Sequence, residues 1–181
     1  MNRHSRSIVL IGMMGAGKSA VGRCLQWRTG FAQFDTDEMV KSKFGMPISK
    51  IFSTHSEDKF REAETEVLRN LSPDQSAIIV TGGGIVLREE NVDLLKRFGV
   101  VVWLEADEKT LFKRASRTGA RPLLESKNPR KAFTQMLRAR LPLYAKIADI
   151  RIDTSELTDE EVAVAIVSKF KKYRKSAPVT A

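Results

Sequence analysis

Cysteine is almost absent, with Cys24 alone among 181 residues. A single cysteine excludes an intramolecular disulfide and a cysteine-ligated zinc cluster, and it fits the reducing cytoplasm, where the chain is expected to reside. Its expected place is the core, as a small apolar side chain. Histidine is also scarce. His4 falls in a terminal tail and His55 in an expected loop, and neither is assigned a catalytic role. The longest stretch without charged or strongly polar side chains, Ile8 to Gly17, is about half of the roughly 18 residues that a membrane helix needs. No membrane span is expected. The first residues lead into that stretch without a long apolar segment and small-residue cleavage site, so no secretory signal is expected either.

What remains is the composition of one globular domain, 42% hydrophobic and 29% charged, with no internal repeat or interdomain linker. The domain is expected to span residues 1–181, with 176–181 as a flexible tail. The formal charge is +9 and unevenly distributed. Between Lys113 and Arg140 lie Lys113, Arg114, Arg117, Arg121, Lys127, Arg130, Lys131, Arg138 and Arg140, against Glu125 alone. An anionic ligand is expected there. A second basic cluster, Lys169 to Lys175, ends a helical pattern and reads as a solvated helix end that complements the dipole. No aromatic RNA-binding strand, paired Cys/His set or helix-turn-helix accompanies the charge, so nucleic acid is not an expected partner.

The runs Ile8–Ile11, Ala77–Val80 and Val100–Leu104 are short, continuous and β-branched, as strands buried on both faces must be. Weaker strands at Gln33–Asp35 and Asp149–Asp153 would bring the sheet to five. Helical spacing spans Ala20–Arg28, Glu57–Leu71, Arg88–Phe98 and Glu108–Ser116, and Thr158-x-x-Glu161 forms a capping box before a further apolar pattern. Strands alternating with helices predict an α/β fold around a parallel sheet. The Gly/Pro/Arg segment at 118–129 reads as a mobile lid, expected to begin near Arg114. Trp27 and Trp103 are expected in the core.

After the first strand comes Gly12-Met13-Met14-Gly15-Ala16-Gly17-Lys18-Ser19, which satisfies G-x-x-x-x-G-K-[ST] and opens a helix at Ala20. Glycines let the backbone turn its N–H groups onto phosphate, and the helix N-terminus adds positive potential. Lys18 reaches the terminal phosphates, and Ser19 can ligate Mg²⁺. No N-K-x-D guanine-reading motif occurs, which argues against a GTPase switch. A small P-loop chain with a basic lid reads instead as a kinase that closes over a small substrate to exclude water.

At the end of the second strand stands Phe34-Asp35-Thr36-Asp37, where carboxyl ends of parallel strands face ligand. Its two carboxylates would point the same way if strand geometry persisted, although a turn or helix cap would use the same residues. Ile48-Ser-Lys-Ile-Phe52, Phe60-Arg61-Glu62-Ala63-Glu64, Thr81-Gly82-Gly83-Gly84, Arg121-Pro122-Leu123-Leu124 and Arg138-Ala-Arg140-Leu-Pro142-Leu-Tyr144 follow in order. This succession, running through most of the chain, resembles the shikimate kinase family.

That resemblance implies a nucleoside-monophosphate-kinase-like arrangement in three α/β/α layers. It further implies a monomer, with ATP as co-substrate, shikimate as acceptor and Mg²⁺ as cofactor. The implied reaction yields 3-phosphoshikimate on the route to chorismate and the aromatic amino acids. The implied ATP-binding residues are those from Gly12 to Ala20 together with Arg114, near adenine, and Arg121, which reaches the transferring phosphate. Ser19 and Asp35 are the implied metal partners. Asp37, Arg61, Arg140 and the three glycines Gly82, Gly83 and Gly84 would hold shikimate, with Arg61 and Arg140 on its carboxylate and Asp37 on its ring hydroxyls. Lys18, Asp37 and Arg121 would be catalytic, Glu64 would orient Arg61, and Ile48, Phe52 and Phe60 would form an apolar wall. A gluconate-type kinase is the alternative, but it offers no reason for Asp37, Arg61 and Arg140 together. The loop Ser155-Glu-Leu-Thr158 departs from the family's usual pattern.

Overall fold

The computed structural model describes residues 7–73, 75–117 and 127–176. Five strands, β1 (Ser7–Ile11), β2 (Ala32–Asp35), β3 (Ala77–Val80), β4 (Gly99–Glu105) and β5 (Ile150–Asp153), form one sheet in the order β2-β3-β1-β4-β5. Every pairing is parallel, with Val9 opposite Ile79 on one side and Val101 on the other. The central strand is wholly buried, and a strand buried on both faces needs helices on both sides of the sheet. Those helices are α1 (Lys18–Thr29), α2 (Thr36–Phe44), α3 (Ile48–Thr54), α4 (Glu57–Asn70), α5 (Glu89–Phe98), α6 (Glu108–Arg117), α7 (Pro129–Ile147) and α8 (Asp159–Ser176). Helix α1 packs on α8 and β3, while α5 and α7 pack on β4.

The core is built from the strands' apolar runs. Ile8, Val9, Leu10, Ile78, Ile79 and Val101 are completely buried, each contributing roughly 1.5–3 kcal/mol relative to exposure. A smaller satellite core under α2, α3 and α4 gathers Val40, Ile51, Phe60, Ala63 and Val67. It sets the far wall of the site.

The expected strands and helices form, with α1 beginning two residues earlier than anticipated, at Lys18. The capping box closes reciprocally: Thr158 N donates to Glu161 Oε2 at 2.9 Å and Glu161 N to Thr158 Oγ1 at 3.2 Å. Three readings need correction. Trp27 is 81% exposed, its ring beside Arg28, whereas Trp103 is in the core as expected. Helix α6 continues through Arg117 and α7 starts at Pro129, so the ends of the expected lid are helical; residues 118–126, which form its body, lie outside the described residues, as do 177–181 of the expected tail. Strand geometry also stops at Asp35, because its side chain caps α2 by accepting from Asp37 N and Glu38 N. The two aspartates therefore leave from a strand end and a helix start, not from one strand face.

Candidate active site

The loop joining β1 to α1 turns on glycines that other residues cannot replace. Gly15 and Gly17 adopt φ of +86° and +87°, in the left-handed region. A Cβ on Gly12 would meet the carbonyl of Leu104 on β4. Lys18 folds back over this loop, its ammonium donating to the Gly12 and Met13 carbonyls at 2.8 and 3.0 Å. Those N-terminal amides of α1, with the lysine, give a concentrated positive field suited to phosphate. Ser19 in the first turn donates its hydroxyl to Asp35 Oδ2 at 3.2 Å. A hydroxyl and a carboxylate are hard oxygen donors of the kind Mg²⁺ takes. Among the described residues no group of three or more His, Cys, Asp or Glu is placed to hold a metal. An ion between these two oxygens would complete its coordination with substrate and water, as Mg²⁺ commonly does.

Beside this loop is a cavity of about 390 Å³. Its floor is Gly82 to Gly84 after β3, its sides are α2 and α4, and α7 closes it with Arg140. Arg61, 7% exposed, donates to Glu64 Oε2 at 2.6 Å and to Glu57 Oε1 at 2.9 Å. Burial pushes the Glu64 carboxyl up to about 7, with the nearby Asp37 charge adding to the rise and Arg61 opposing it. Arg140 is just as buried, 5% exposed. Among the described residues it forms no ion pair, its guanidinium lying 4.0 Å from Met13 Sδ. Its charge reaches the Glu64 carboxyl, which Arg61 already holds, and a buried cation with no carboxylate in contact with it is costly unless an anion arrives. Ile48, Phe52 and Phe60 line the apolar side, with the two phenylalanine rings 4.8 Å apart.

The glycine run fits this cavity through close approach, since none of its three residues has the positive φ found in the phosphate loop. A Cβ at Gly82 would stand 2.5 Å from Asp37 Oδ1 and 3.0 Å from Glu64 Oε1, and one at Gly84 would strike the Arg61 guanidinium. The run's carbonyl at Gly83 accepts from the hydroxyl of Tyr144 on α7. Burial raises that phenol to about 12, against the pull of Arg140, so it stays a donor at neutral pH.

A second cavity, about 620 Å³, lies over Gly15, Gly17, Lys18, Ser19 and Ala20 and shares Met14, Ser19, Asp35, Asp37 and Gly83 with the first. Arg114 forms one wall. Its guanidinium is clamped by Thr154 Oγ1 at 3.1 Å and by the carbonyls of Thr154 and Ser155 at 2.9 and 3.3 Å. Leu157, Thr158, Asp159 and Arg23 complete the cleft. Arg23 and Glu57 belong to none of the sequence motifs, and Tyr144, the last residue of the Arg138–Tyr144 motif, had no role assigned to it. Met13, which the resemblance groups with the ATP-binding residues, turns its side chain to Arg140. Arg121 lies outside the described residues. Of the other expected site residues, Gly12, Met13 and Ala16 line neither cavity, and the rest line one or both.

A glycine loop feeding a helix at the centre of a parallel five-stranded sheet, with a second cavity adjoining the first, defines a P-loop kinase of small molecules. The family model described as Shikimate kinase matches residues 14–171. The shikimate kinase of Thermodesulfovibrio yellowstonii is 44% identical over 92% of this chain and 96% of that protein. Among solved structures, shikimate kinase from Acinetobacter baumannii in complex with shikimate superposes with a TM-score of 0.89 at 33% identity, covering 95% of this chain and 96% of that one. A gluconokinase from Sinorhizobium meliloti, 18% identical with a TM-score of 0.63 over 97% of this chain and 99% of its own, shares the fold. The chain belongs to the shikimate kinase family.

Proposed function

We propose that this protein transfers the γ-phosphate of ATP to the 3-hydroxyl of shikimate, giving 3-phosphoshikimate and ADP. The observation that carries this reading is Arg140, a buried guanidinium without an ion-pair partner among the described residues, in a cavity that opens onto the phosphate loop. Shikimate is a carboxylate bearing ring hydroxyls. Its carboxylate supplies the anion that Arg140 calls for, with Arg61 beside it, and its hydroxyls fall to Asp37 and the Gly82–Gly84 backbone. Glu64 holds Arg61 in place, and Ile48, Phe52 and Phe60 cover the apolar ring face.

In the transfer, the 3-hydroxyl oxygen forms the new bond to the γ-phosphorus while the bond to the ADP oxygen breaks, its electron pair leaving with ADP. The hydroxyl proton passes to Asp37. Lys18 and the loop amides neutralise charge on the moving phosphoryl group, and Arg121 joins them by resemblance to the family. Ser19 and Asp35 would hold Mg²⁺, which when bound neutralises phosphate charge. Arg114 and the loop from Thr154 to Asp159 take the adenosine end of ATP. The monomeric state follows from resemblance to the family, and the lone cysteine fits a cytoplasmic setting.

A coupled assay of ADP release with shikimate, gluconate and no acceptor tests this. Turnover with shikimate alone is expected. Equal release with gluconate, or without acceptor, would overturn the reading.

A further inference from the structure

We infer that Tyr144 is a positioning residue for acceptor binding, holding the glycine run in register with Arg140. The inference rests on the reading of the first cavity as the acceptor pocket. Around that cavity, the Gly82 carbonyl is held by Ile85 N at 3.2 Å and the Gly84 carbonyl by Leu87 N at 3.0 Å. Gly83 lies between them, and its carbonyl is held by a side chain, the Tyr144 hydroxyl. The amide ends of the run are also fixed. Thr81 N and Oγ1 both donate to the Leu10 carbonyl, and Gly82 N donates to Thr36 Oγ1. The middle of the run thus takes its position from α7.

Helix α7 also supplies Arg140, one turn before Tyr144, so the two side chains project along the same face. The Tyr144 ring is fully buried and packs on Trp103 with centroids 5.9 Å apart. Trp103 lies on β4, next to the central strand, so the hydroxyl is anchored from the core rather than from the surface. Its oxygen also faces Arg140, whose charge pulls against burial on the phenol. One hydroxyl therefore sets the spacing between the guanidinium that meets a carboxylate and the glycine backbone that meets the ring. Little slack is left. A Cβ at Gly82 would already stand 2.5 Å from Asp37, so a small shift of the run changes how the ring seats.

Removing the hydroxyl while keeping the ring separates positioning from packing. Tyr144→Phe should raise KM for shikimate about tenfold, leave KM for ATP within about twofold, and lower the melting temperature by only a few degrees. An unchanged KM for shikimate would overturn the inference whatever happened to the melting temperature, because the hydroxyl would then serve the fold alone. An equal rise in both KM values would overturn it too, by spreading the effect to the nucleotide side. Arg140→Lys, run in parallel, separates this failure from that of the acceptor-pocket reading. If Arg140→Lys raises KM for shikimate and Tyr144→Phe does not, the inference alone falls. If neither variant does, both fall.

Discussion

The two cavities meet at Asp35, Asp37 and Gly83, yet they are made of different material. The nucleotide side is largely backbone: a loop shaped by left-handed glycines, the first turn of α1, and carbonyls that hold Lys18 and Arg114. The acceptor side is side chain: Arg61, Glu64 and Arg140, all buried and drawn from two helices far apart in sequence. Phosphate is the same group in every nucleotide and can be met by amides of a contiguous segment. A specific carboxylate-bearing ring has to be met by charges assembled from distant parts of the chain.

The contrast breaks most severely on the nucleotide side. Lys18→Met removes the ammonium that bridges the loop carbonyls and replaces it with an apolar chain of similar length. Turnover should fall by at least about a hundredfold to a thousandfold, near 3–4 kcal/mol, with an unchanged circular dichroism spectrum. A loss of tenfold or less would remove Lys18 from the role of stabilising transferring charge.

The boundary between the cavities gives the next largest effect. Asp37→Asn removes the proposed proton acceptor, so turnover should drop by about a hundredfold or more, and added Mg²⁺ should not restore it. Asp35→Asn weakens the oxygen pair with Ser19 and is expected to recover part of its activity as Mg²⁺ is raised. A magnesium titration of both variants at saturating ATP and shikimate decides between these outcomes. Equal recovery would show that the pair acts as one unit.

The same division explains what could be read from sequence. The phosphate loop is one contiguous string with a fixed local geometry, so its residues and the bounding strand and helix are legible directly. The acceptor pocket is legible only through the order of separated motifs, because nothing local in Phe60-Arg61 or Arg138-Ala-Arg140 says that the arginines are buried. Helix α7 was not anticipated: Pro142 interrupts its pattern, though Pro129 at its start and Asn128, accepting from Lys131 N at 3.0 Å, mark its beginning. Glu57 acts through a contact outside any motif, and Tyr144, although it ends the Arg138–Tyr144 motif, carries nothing local that points its hydroxyl to the Gly83 carbonyl. Trp27 is a different kind of miss, since large aromatics are usually covered, and no contact in the structure explains its exposure.

On the acceptor side, Arg140→Ala should weaken shikimate binding by about 2–4 kcal/mol, because the bound carboxylate would be left desolvated beside Arg61 alone. ATP binding should change little. Calorimetric titration with each ligand separately measures both. A matching loss for ATP would move Arg140 to the nucleotide side or to the fold.

The smallest expected effect lies in how the acceptor side handles its buried charge. The Glu64 carboxyl is raised to about 7 by burial, with Asp37 adding to the shift, whereas in the unfolded chain a glutamate titrates near 4.3. The folded state then holds its proton over a range where the unfolded state has lost it. Stability from this group is therefore fully present below about pH 4 and declines as pH rises toward 7. Between pH 5 and 7 the decline should come to about 2 kcal/mol. Glu64→Gln keeps the shape and cannot titrate, so the stability difference between wild type and variant should move in the variant's favour by that amount over the same range. Urea unfolding of both proteins at pH 5 and pH 7 measures it, other carboxylates cancelling in the difference. A difference that stayed constant with pH would mean that Arg61, 2.6 Å away, keeps Glu64 ionised throughout, and that the pocket carries one more fixed negative charge for an incoming carboxylate to overcome.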